Sequence, residues 1–196
     1  MSFFKKVFKL SKESSEEKEA KKQEVHLSLD DSFVHHFIEK GGKFLYCTKR
    51  EEVLEHLQNI VTENKWNELV CINKNLASLT QKTSVTLKTD INYSAPFFTS
   101  CEHLIADNGD ILFSSNQLKE HKIAELSEHF IVYATTSQLV KTKGESLTGI
   151  KTRYQGNIPS NISAIKNYTL NSKDDDFMNY GNTNSKNLYL LLFEDL

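Results

Sequence analysis

The sequence predicts an α/β domain built on an open, largely parallel sheet that is flanked by helices. Short apolar runs alternate along the chain with segments of helical apolar spacing, which is the pattern of βαβ units. The apolar runs are nearly continuous, which is typical of parallel strands buried on both faces. With 196 residues, of which 38% are hydrophobic, the chain is long enough for one such domain and a terminal segment.

The first helix and strand are predicted over residues 30–48. Asp30 or Asp31 can cap a helix, because an aspartate side chain accepts hydrogen bonds from the free N–H groups of the first turn. Gly41-Gly42 ends that helix. The apolar run 43–48 then has the length and character of a buried strand.

The next helix and strand complete a βαβ unit. Thr48-x-x-Glu51 predicts a capping box that opens a helix, and residues 68–73 form the following strand. The helix presents an apolar face made of Val53, Leu54, Leu57, Ile60 and Val61.

The middle of the chain predicts a hairpin after a less regular stretch. Strand pieces are expected near 85–91, and Pro96-Phe97-Phe98 is expected to interrupt them. Asn108-Gly109 lies between two apolar runs within 101–116, and this dipeptide is typical of a type I′ turn.

The last third continues the alternation and then becomes polar. We expect a helix over 117–127, a buried strand over 130–134, and a helix that Thr135 or Thr136 caps and that continues through Val140. A polar, asparagine-rich stretch runs over 144–186. The apolar run 188–193 is predicted to be a central or near-central strand that closes the sheet.

Residues 104–117, Leu-Ile-Ala-Asp-Asn-Gly-Asp-Ile-Leu-Phe-Ser-Ser-Asn-Gln, resemble the signature of the LUD domain, which occurs in lactate-utilisation protein C and its relatives. Those proteins carry an Ala-Glu-(Ser/Thr)-Gly-Thr loop followed by an apolar strand. The resemblance covers about residues 28–196. It implies a single LUD-like domain over 26–196 with a NagB/RpiA/CoA-transferase-like fold, and a partner of iron-sulfur proteins that oxidise L-lactate.

The departures from the family pattern identify a divergent member. Asp107 stands where the family has glutamate, and Asp110 stands where it has threonine. The Gly-Pro-Ser loop expected after the late strand has only a faint counterpart over 170–177. The Gly-Val-His-Gly-Pro segment before the closing strand is replaced by residues 180–186.

The signature segment also supplies the candidate ligand-binding residues, which are Asp107, Asn108, Gly109, Asp110, Ser114, Ser115 and Asn116. By its place in the family signature, Asp107 could accept a hydrogen bond from a ligand. Open α/β sheets bind ligands at strand ends, so Ser114, Ser115 and Asn116 could complete a polar pocket. The alternative is a turn in which aspartate, asparagine and glycine are present only because they favour the backbone conformation of a turn.

Three further groups allow a chemical interpretation and a structural one. Cys101-x-His103 fits a metal site or a Cys/His nucleophile pair, or else a buried cysteine beside an ordinary histidine. Asp174–Asp176 fits a cation site or a solvated acidic loop. Glu102 is the candidate nearest a strand end for a CoA-transferase-like glutamate nucleophile.

Common nucleotide-binding and hydrolase motifs are absent from the sequence. The chain has no GxxxxGK[ST], GxGxxG or GxSxG sequence, so no complete catalytic motif is found, no cofactor and no metal site is predicted, and enzymatic activity stays open. A formal net charge of -2 argues against a globally basic nucleic-acid binder. Three widely separated cysteines without a CxxC pair favour a reducing, cytoplasmic location.

Residues 1–25 differ from the rest and are predicted to form a basic amphipathic segment and a charged linker. Phenylalanines and lysines alternate over 3–12 at helical spacing. This segment could make weak contact with an anionic membrane surface, or dock on the protein's own domain.

The sequence is therefore compatible with three functions. The leading one is a LUD-domain accessory or regulatory protein linked to lactate and organic-acid utilisation that acts with partner proteins. The second is an enzyme of the same superfold that acts on a carboxylate, sugar phosphate or CoA ester. The third is an interaction module whose ligand site has decayed. The sequence leaves the oligomeric state open.

Overall fold

The computed structural model describes residues 28–80, 83, 85–91, 94–170 and 184–195. The predicted N-terminal segment 1–25 and the acidic run Asp174–Asp176 lie outside the described residues. Both therefore remain predictions from sequence.

The described residues form helices and strands in alternation, as the sequence predicts. The α-helices are α1 Leu29–Glu39, α2 Arg50–Glu63, α3 Lys74–Leu79, α4 Ser115–Leu118 and α5 Lys143–Arg153. The strands are β1 Lys43–Cys47, β2 Glu68–Val70, β3 Thr86–Lys88, β4 Phe97–Ser100, β5 His103–Ile105, β6 Asp110–Phe113, β7 His129–Thr135, β8 Leu139–Val140, β9 Ser163–Ile165 and β10 Asn187–Phe193.

A six-stranded parallel sheet lies at the centre, in the order β1-β10-β7-β4-β2-β3. Strand β10 is inserted between β1 and β7, where Leu190 is in register with Phe44 on one side and Val132 on the other. The predicted α/β class, the parallel sheet and the central closing strand are confirmed.

The two faces of the central sheet are covered by different layers. Side chains alternate along a strand, so Leu190 of β10 faces the cluster that contains Phe37 of α1. Leu191 faces the opposite cluster, which contains Leu57 of α2. Every one of these four side chains is at most 1% exposed.

A second sheet, in the order β8-β5-β6-β9, covers the same face as α1. Leu104 and Ile111 point from this sheet into the central core. Ile105 and Leu112 point outward and pack against Ile150 of α5. The sequence predicts only the β5-β6 hairpin of this sheet, because β8 and β9 are too short to produce a pattern.

The cap of α1 differs from the prediction. Ser28 is the N-cap residue, and its Oγ accepts a hydrogen bond from the backbone N–H of Asp31 at 3.4 Å. Asp30 and Asp31 lie in the first turn instead, where a negative charge interacts favourably with the positive end of the helix dipole.

The capping box of α2 is shifted by one residue. The carboxylate of Glu52, not of Glu51, accepts hydrogen bonds from the backbone N–H of Thr48 at 2.7 Å and of Lys49 at 3.2 Å. The helix begins at Arg50, so the third helical position, which the capping box requires, falls on Glu52.

The expected interruption at Pro96-Phe97-Phe98 is wrong for the two phenylalanines. Phe97 and Phe98 belong to β4, and both are nearly fully buried. Pro96 lies just before the strand, and its carbonyl accepts a 2.9 Å hydrogen bond from the N–H of Val70. A proline is tolerated there because its missing N–H is not needed by the sheet.

Two predicted helices are shorter than expected. The region 117–127 contains the end of α4 and a 3₁₀ turn at Ile123–Glu125. The helix expected to continue through Leu139 and Val140 is a 3₁₀ turn at Thr136–Gln138, followed by β8. Pairing of Leu139 and Val140 with β5 takes precedence over the weak local helix signal.

The polar stretch 144–186 is not a simple loop, since it contains all of α5 except Lys143 and the whole of β9. Within the part of the chain that the structure covers, none of the helices has the length and apolar character needed to cross a membrane.

Candidate functional site

A buried carboxylate lies at the carboxyl edge of the central sheet. Strand β4 ends at Ser100, and Glu102 follows before the chain enters β5. Glu102 is 1% exposed, and its backbone N–H donates a 2.8 Å hydrogen bond to the carbonyl of Leu112. Ligands of open α/β sheets bind outside the carboxyl ends of the strands, so this position is a candidate functional site.

Oxygen Oε1 of Glu102 accepts hydrogen bonds from three side chains at the start of α4. Ser114 Oγ lies at 2.6 Å, Asn116 Nδ2 at 2.8 Å and Gln117 Nε2 at 3.2 Å. Three donors on one oxygen replace the water that the carboxylate loses on burial.

Oxygen Oε2 of Glu102 faces the end of α5. The hydroxyl of Tyr154 donates to it at 3.2 Å. Nη1 of Arg153 lies 3.9 Å away, and the Arg153 side chain is 49% exposed. The carboxylate is therefore enclosed by donors from two elements about 40 residues apart in sequence.

A local motif explains why the donors of α4 converge. Ser114 is the N-cap of α4, and its Oγ accepts a hydrogen bond from the N–H of Asn116 at 3.1 Å. The side-chain oxygen of Gln117 accepts a hydrogen bond from the N–H of Ser114 at 2.9 Å. This capping box fixes the rotamers of Ser114 and Gln117, so that their remaining hydrogens point at Glu102.

The environment of Glu102 favours its ionised form. Burial alone would raise the pKa of this carboxyl, but hydrogen bonds from Ser114, Asn116, Gln117 and Tyr154 outweigh burial, and the pKa is lowered below its ordinary value of 4.5. Glu102 is thus a carboxylate anion at neutral pH. With both oxygens occupied by donors, it is poorly suited to act as the free nucleophile that the sequence analysis considered.

The neighbouring His103 has one bonded and one unbonded ring nitrogen. Its side chain is buried, and Nδ1 lies 3.2 Å from the carbonyl oxygen of Gln138. A carbonyl only accepts, which assigns the proton to Nδ1 and a lone pair to Nε2. No described residue contacts Nε2 with a hydrogen bond.

His103 is held in its neutral form. Burial lowers the pKa of this imidazole below 6.5, and the positive charge of Arg153 lowers it further. The Gln138 carbonyl and the charge of Glu102 act in the opposite direction but do not compensate. His103 therefore presents a lone pair at neutral pH.

Cys101 does not form a nucleophile pair with His103. Its thiol lies in the central core cluster with Phe97 and Phe130, and burial raises its pKa. A protonated core thiol is a weak nucleophile and a weak metal ligand. Over the described residues, no group of three or more His, Cys, Asp or Glu side chains is arranged to hold a metal ion.

The predicted turn residues form a separate cluster. The loop between β5 and β6 spans Ala106–Gly109, and Gly109 has a φ of +69°. Asn108 does not have a positive φ, so the predicted type I′ turn, which needs two such residues, is wrong. Asp110 is buried and forms an ion pair with Lys40 at 3.0 Å, and Nδ2 of Asn108 donates to it at 3.0 Å.

This turn packs against α1 and is also held by hydrogen bonds to other parts of the chain. The hydroxyl of Tyr168 donates a 2.6 Å hydrogen bond to the carbonyl of Gly109. A Cβ atom on Gly109 would lie 2.6 Å from the backbone nitrogen of Phe37. Asp107 is exposed, and its backbone N–H donates to the carbonyl of Lys141 at 3.0 Å. These contacts support a structural role for the turn.

The seven candidate residues therefore divide into two groups at opposite ends of β6. Asp107–Asp110 form the turn, whereas Ser114 and Asn116 contact Glu102. Four strand residues at about 3.4 Å each separate the groups by roughly 14 Å, so one small ligand cannot touch both. Ser115 contributes its backbone N–H, which donates to the carbonyl of Ser160 at 2.8 Å.

Three members of the site were not predicted from the sequence: Gln117, Arg153 and Tyr154. The Ser-x-x-Gln spacing of Ser114 and Gln117 was a usable capping-box signal. No sequence signal points to Arg153 and Tyr154, because they reach Glu102 only through the packing of α5 on the second sheet.

Comparison with known proteins supports the fold. No protein-family model matches the chain, and no curated protein matches it. The chain is similar in structure to a crystal structure of a DUF162 family protein from Deinococcus radiodurans, with a TM-score of 0.53 and 12% sequence identity. The similarity covers 86% of this chain and 99% of that one. This chain therefore shares its fold with a DUF162 family protein.

Proposed function

We propose that this chain is a divergent LUD-domain protein that acts as an accessory or regulatory component of lactate and other organic-acid utilisation. Two observations support membership of the family. Residues 104–117 resemble the LUD signature, and DUF162, the family of the structural neighbour, is the LUD-domain family. By the same resemblance, we expect its partners to be iron-sulfur proteins that oxidise lactate.

The hydrogen bonding of the Glu102 carboxylate is the observation that favours an accessory role over catalysis. In an enzyme that uses a glutamate nucleophile, one carboxylate oxygen must be free to attack the substrate. Here Ser114, Asn116 and Gln117 occupy Oε1, while Tyr154 donates to Oε2. Such a carboxylate is suited to holding surrounding side chains in place.

The second candidate, an enzyme of the same superfold, is favoured by His103 alone. A buried imidazole with a free lone pair can act as a general base. The third candidate, an interaction module, depends on residues 1–25, which the structure does not describe.

Deletion of the gene in its source organism tests the proposed function. We expect slower growth on L-lactate as sole carbon source, unchanged growth on glucose, and recovery when the wild-type gene is restored. Equal growth of the deletion and parent strains on lactate and other organic acids would contradict the proposal.

A biochemical assay separates the accessory role from the enzyme. Extracts of the deletion strain should oxidise lactate faster after addition of the purified chain, whereas the purified chain alone should convert neither lactate nor a mixture of CoA ester and carboxylate. Turnover by the purified chain that His103→Asn abolishes would establish the enzyme instead.

A further inference from the structure

Three hydrogen-bond donors of the 3₁₀ turn Thr136–Gln138 converge on one carboxylate at the surface. Oδ1 of Asp195 accepts from Thr136 Oγ1 at 2.8 Å and from the backbone N–H of Ser137 at 2.9 Å. Oδ2 accepts from Ser137 Oγ at 2.7 Å. Asp195 and Ser137 are both exposed, so this donor cluster lies within reach of solutes.

The register of two central strands brings Asp195 to the donor cluster. Phe193, the last residue of β10, pairs with Thr135, the last residue of β7. The two strands are parallel, so the chain that follows β10 leaves the sheet beside the turn that follows β7. The N–H of Glu194 donates to the carbonyl of Cys47 at 2.8 Å, which holds the chain up to the residue before Asp195.

Asp195 occupies the donor cluster as an anion. Burial alone would raise the pKa of Asp195, but hydrogen bonds from Ser137 and Thr136 outweigh burial, and the pKa is lowered to about 2. The carboxylate is therefore charged at neutral pH. A tethered group binds as if it were present at roughly millimolar concentration. A free oxyanion must exceed that concentration, or bind more tightly, to displace Asp195.

The other side of the same turn contacts the segment that leads into β5. Nε2 of Gln138 donates to the carbonyl of Cys101 at 2.6 Å. The backbone carbonyl of Gln138 lies 3.2 Å from Nδ1 of His103. Gln138 follows Ser137 directly in the chain, so a displacement of the turn on the Asp195 side also moves the hydrogen-bond partner of His103.

We propose that Thr136 and Ser137 form an oxyanion-binding site in which Asp195 is a built-in, displaceable occupant. Occupancy of this site sets the position of Gln138 and, through it, of the His103 ring. When the site is empty, the turn loses three hydrogen bonds on one side and shifts relative to β5. An external oxyanion that replaces Asp195 restores the turn and releases the chain that follows β10. This device goes beyond the proposed function and does not depend on lactate.

Chemical rescue of Asp195→Ala in the purified full chain tests the oxyanion site. Acetate, the side chain of aspartate without its backbone, should raise the melting midpoint of this variant by about 2–4 °C more than that of the wild type. Sodium chloride at equal ionic strength is the control for screening. Asp107→Ala removes an exposed carboxylate elsewhere and should respond like the wild type.

Two results would overturn the oxyanion site. One is an equal response of Asp195→Ala, Asp107→Ala and the wild type to acetate. The other is a rise of the Asp195→Ala midpoint in chloride that equals the rise in acetate, because that would be an effect of ionic strength alone.

The ring signals of His103 test the connection through Gln138. In Asp195→Ala, the ¹⁵N and ¹³C NMR signals of the His103 imidazole should shift, and acetate should return them toward the wild-type positions. His129 at the amino end of β7 is the reference, and its ring signals should stay in place. Unchanged His103 signals would overturn the connection. Equal shifts of both rings would also overturn it, because they would reflect a general change in the fold.

Asp195→Asn keeps the test decisive if Asp195→Ala does not fold. The asparagine oxygen still accepts from the turn, but its amide nitrogen cannot accept from Ser137 Oγ. Acetate should therefore displace this weaker occupant and raise the midpoint more than in the wild type, and the added change Ser137→Ala should remove most of that rise. Absence of the rise would overturn the site. A growth defect of the deletion strain without rescue would refute this inference alone, and rescue without a growth defect would refute the proposed function alone.

Discussion

The hydroxyl of Ser114 donates a 2.6 Å hydrogen bond to the buried carboxylate of Glu102, and the two residues flank the open end of the β5-β6 hairpin. This contact joins the end of a central strand to the first turn of α4. It also places a negative charge beneath side chains of α5. The same bond thus links the central sheet, the second sheet and the candidate site.

Replacing Glu102 should destabilise the fold. In Glu102→Ala, the buried hydroxyl of Ser114 and the nearby amides lose their acceptor, and an unsatisfied buried group costs about 1–3 kcal/mol. Glu102→Gln should cost less, because its amide oxygen still accepts. Urea unfolding measures both, and Glu55→Ala on the exposed face of α2 should change the free energy of unfolding by less than about 0.5 kcal/mol. Equal effects of Glu102→Ala and Glu55→Ala would contradict the role of this carboxylate.

The contribution of Glu102 should depend on acid pH. Its pKa is lowered in the folded chain, so its stabilisation is fully present above about pH 4.5 and is lost as the pH falls through the folded-state pKa. The difference in unfolding free energy between wild type and Glu102→Gln should be constant near neutrality and shrink in acid. A difference independent of pH would show that the ionised form is not the stabilised one.

His103 should make the chain less stable at mildly acid pH. Its pKa is lowered from 6.5 in the folded state, so the unfolded chain binds the proton more readily and stability falls as the pH drops below about 6.5. In His103→Asn, whose amide can still donate to Gln138, this loss should be smaller. Thermal melts between pH 7.5 and 5 provide the measurement, and identical slopes for the two proteins would count against a buried neutral imidazole.

The turn at Gly109 should tolerate no side chain. Gly109→Ala combines a left-handed backbone with a Cβ 2.6 Å from the nitrogen of Phe37, and we expect backbone strain and overpacking together to cost about 2–6 kcal/mol. Gly156 is the matched control, with a φ of +82° and no atom within 4 Å of a Cβ. Gly156→Ala should therefore show the backbone penalty alone, about 1 kcal/mol. Similar melting midpoints for the two variants would refute the contact with α1.

Much of the fold was predictable because parallel strands are buried on both faces. The run 188–193 and the strand 130–134 are apolar enough to be recognised without neighbours, and both are central. The second sheet was not predictable as a whole. Leu139 and Val140 form a strand only through pairing with β5, and a two-residue pairing leaves no periodicity in the sequence.

The candidate site was predictable only in part, for a similar reason. Ser114 and Asn116 were identified from the signature segment, and both contact Glu102. Their common partner, Glu102, was not predicted to be the centre of the site, because the sequence around a single glutamate does not show that its side chain is buried. Arg153 and Tyr154 reach the site across about 50 residues of chain, a distance that only tertiary packing closes.

The ionised state of Glu102 is tested most directly by a ¹³C NMR titration of its side-chain carboxyl, assigned by comparison with Glu102→Gln. We expect an ionised carboxylate at pH 7 that takes up its proton only below the ordinary pKa of 4.5. Protonation at a pH above 4.5 would mean that burial outweighs the hydrogen bonds from Ser114, Asn116, Gln117 and Tyr154. Glu102 would then be a buried acid available for chemistry, and the accessory role proposed for this chain would lose its main support.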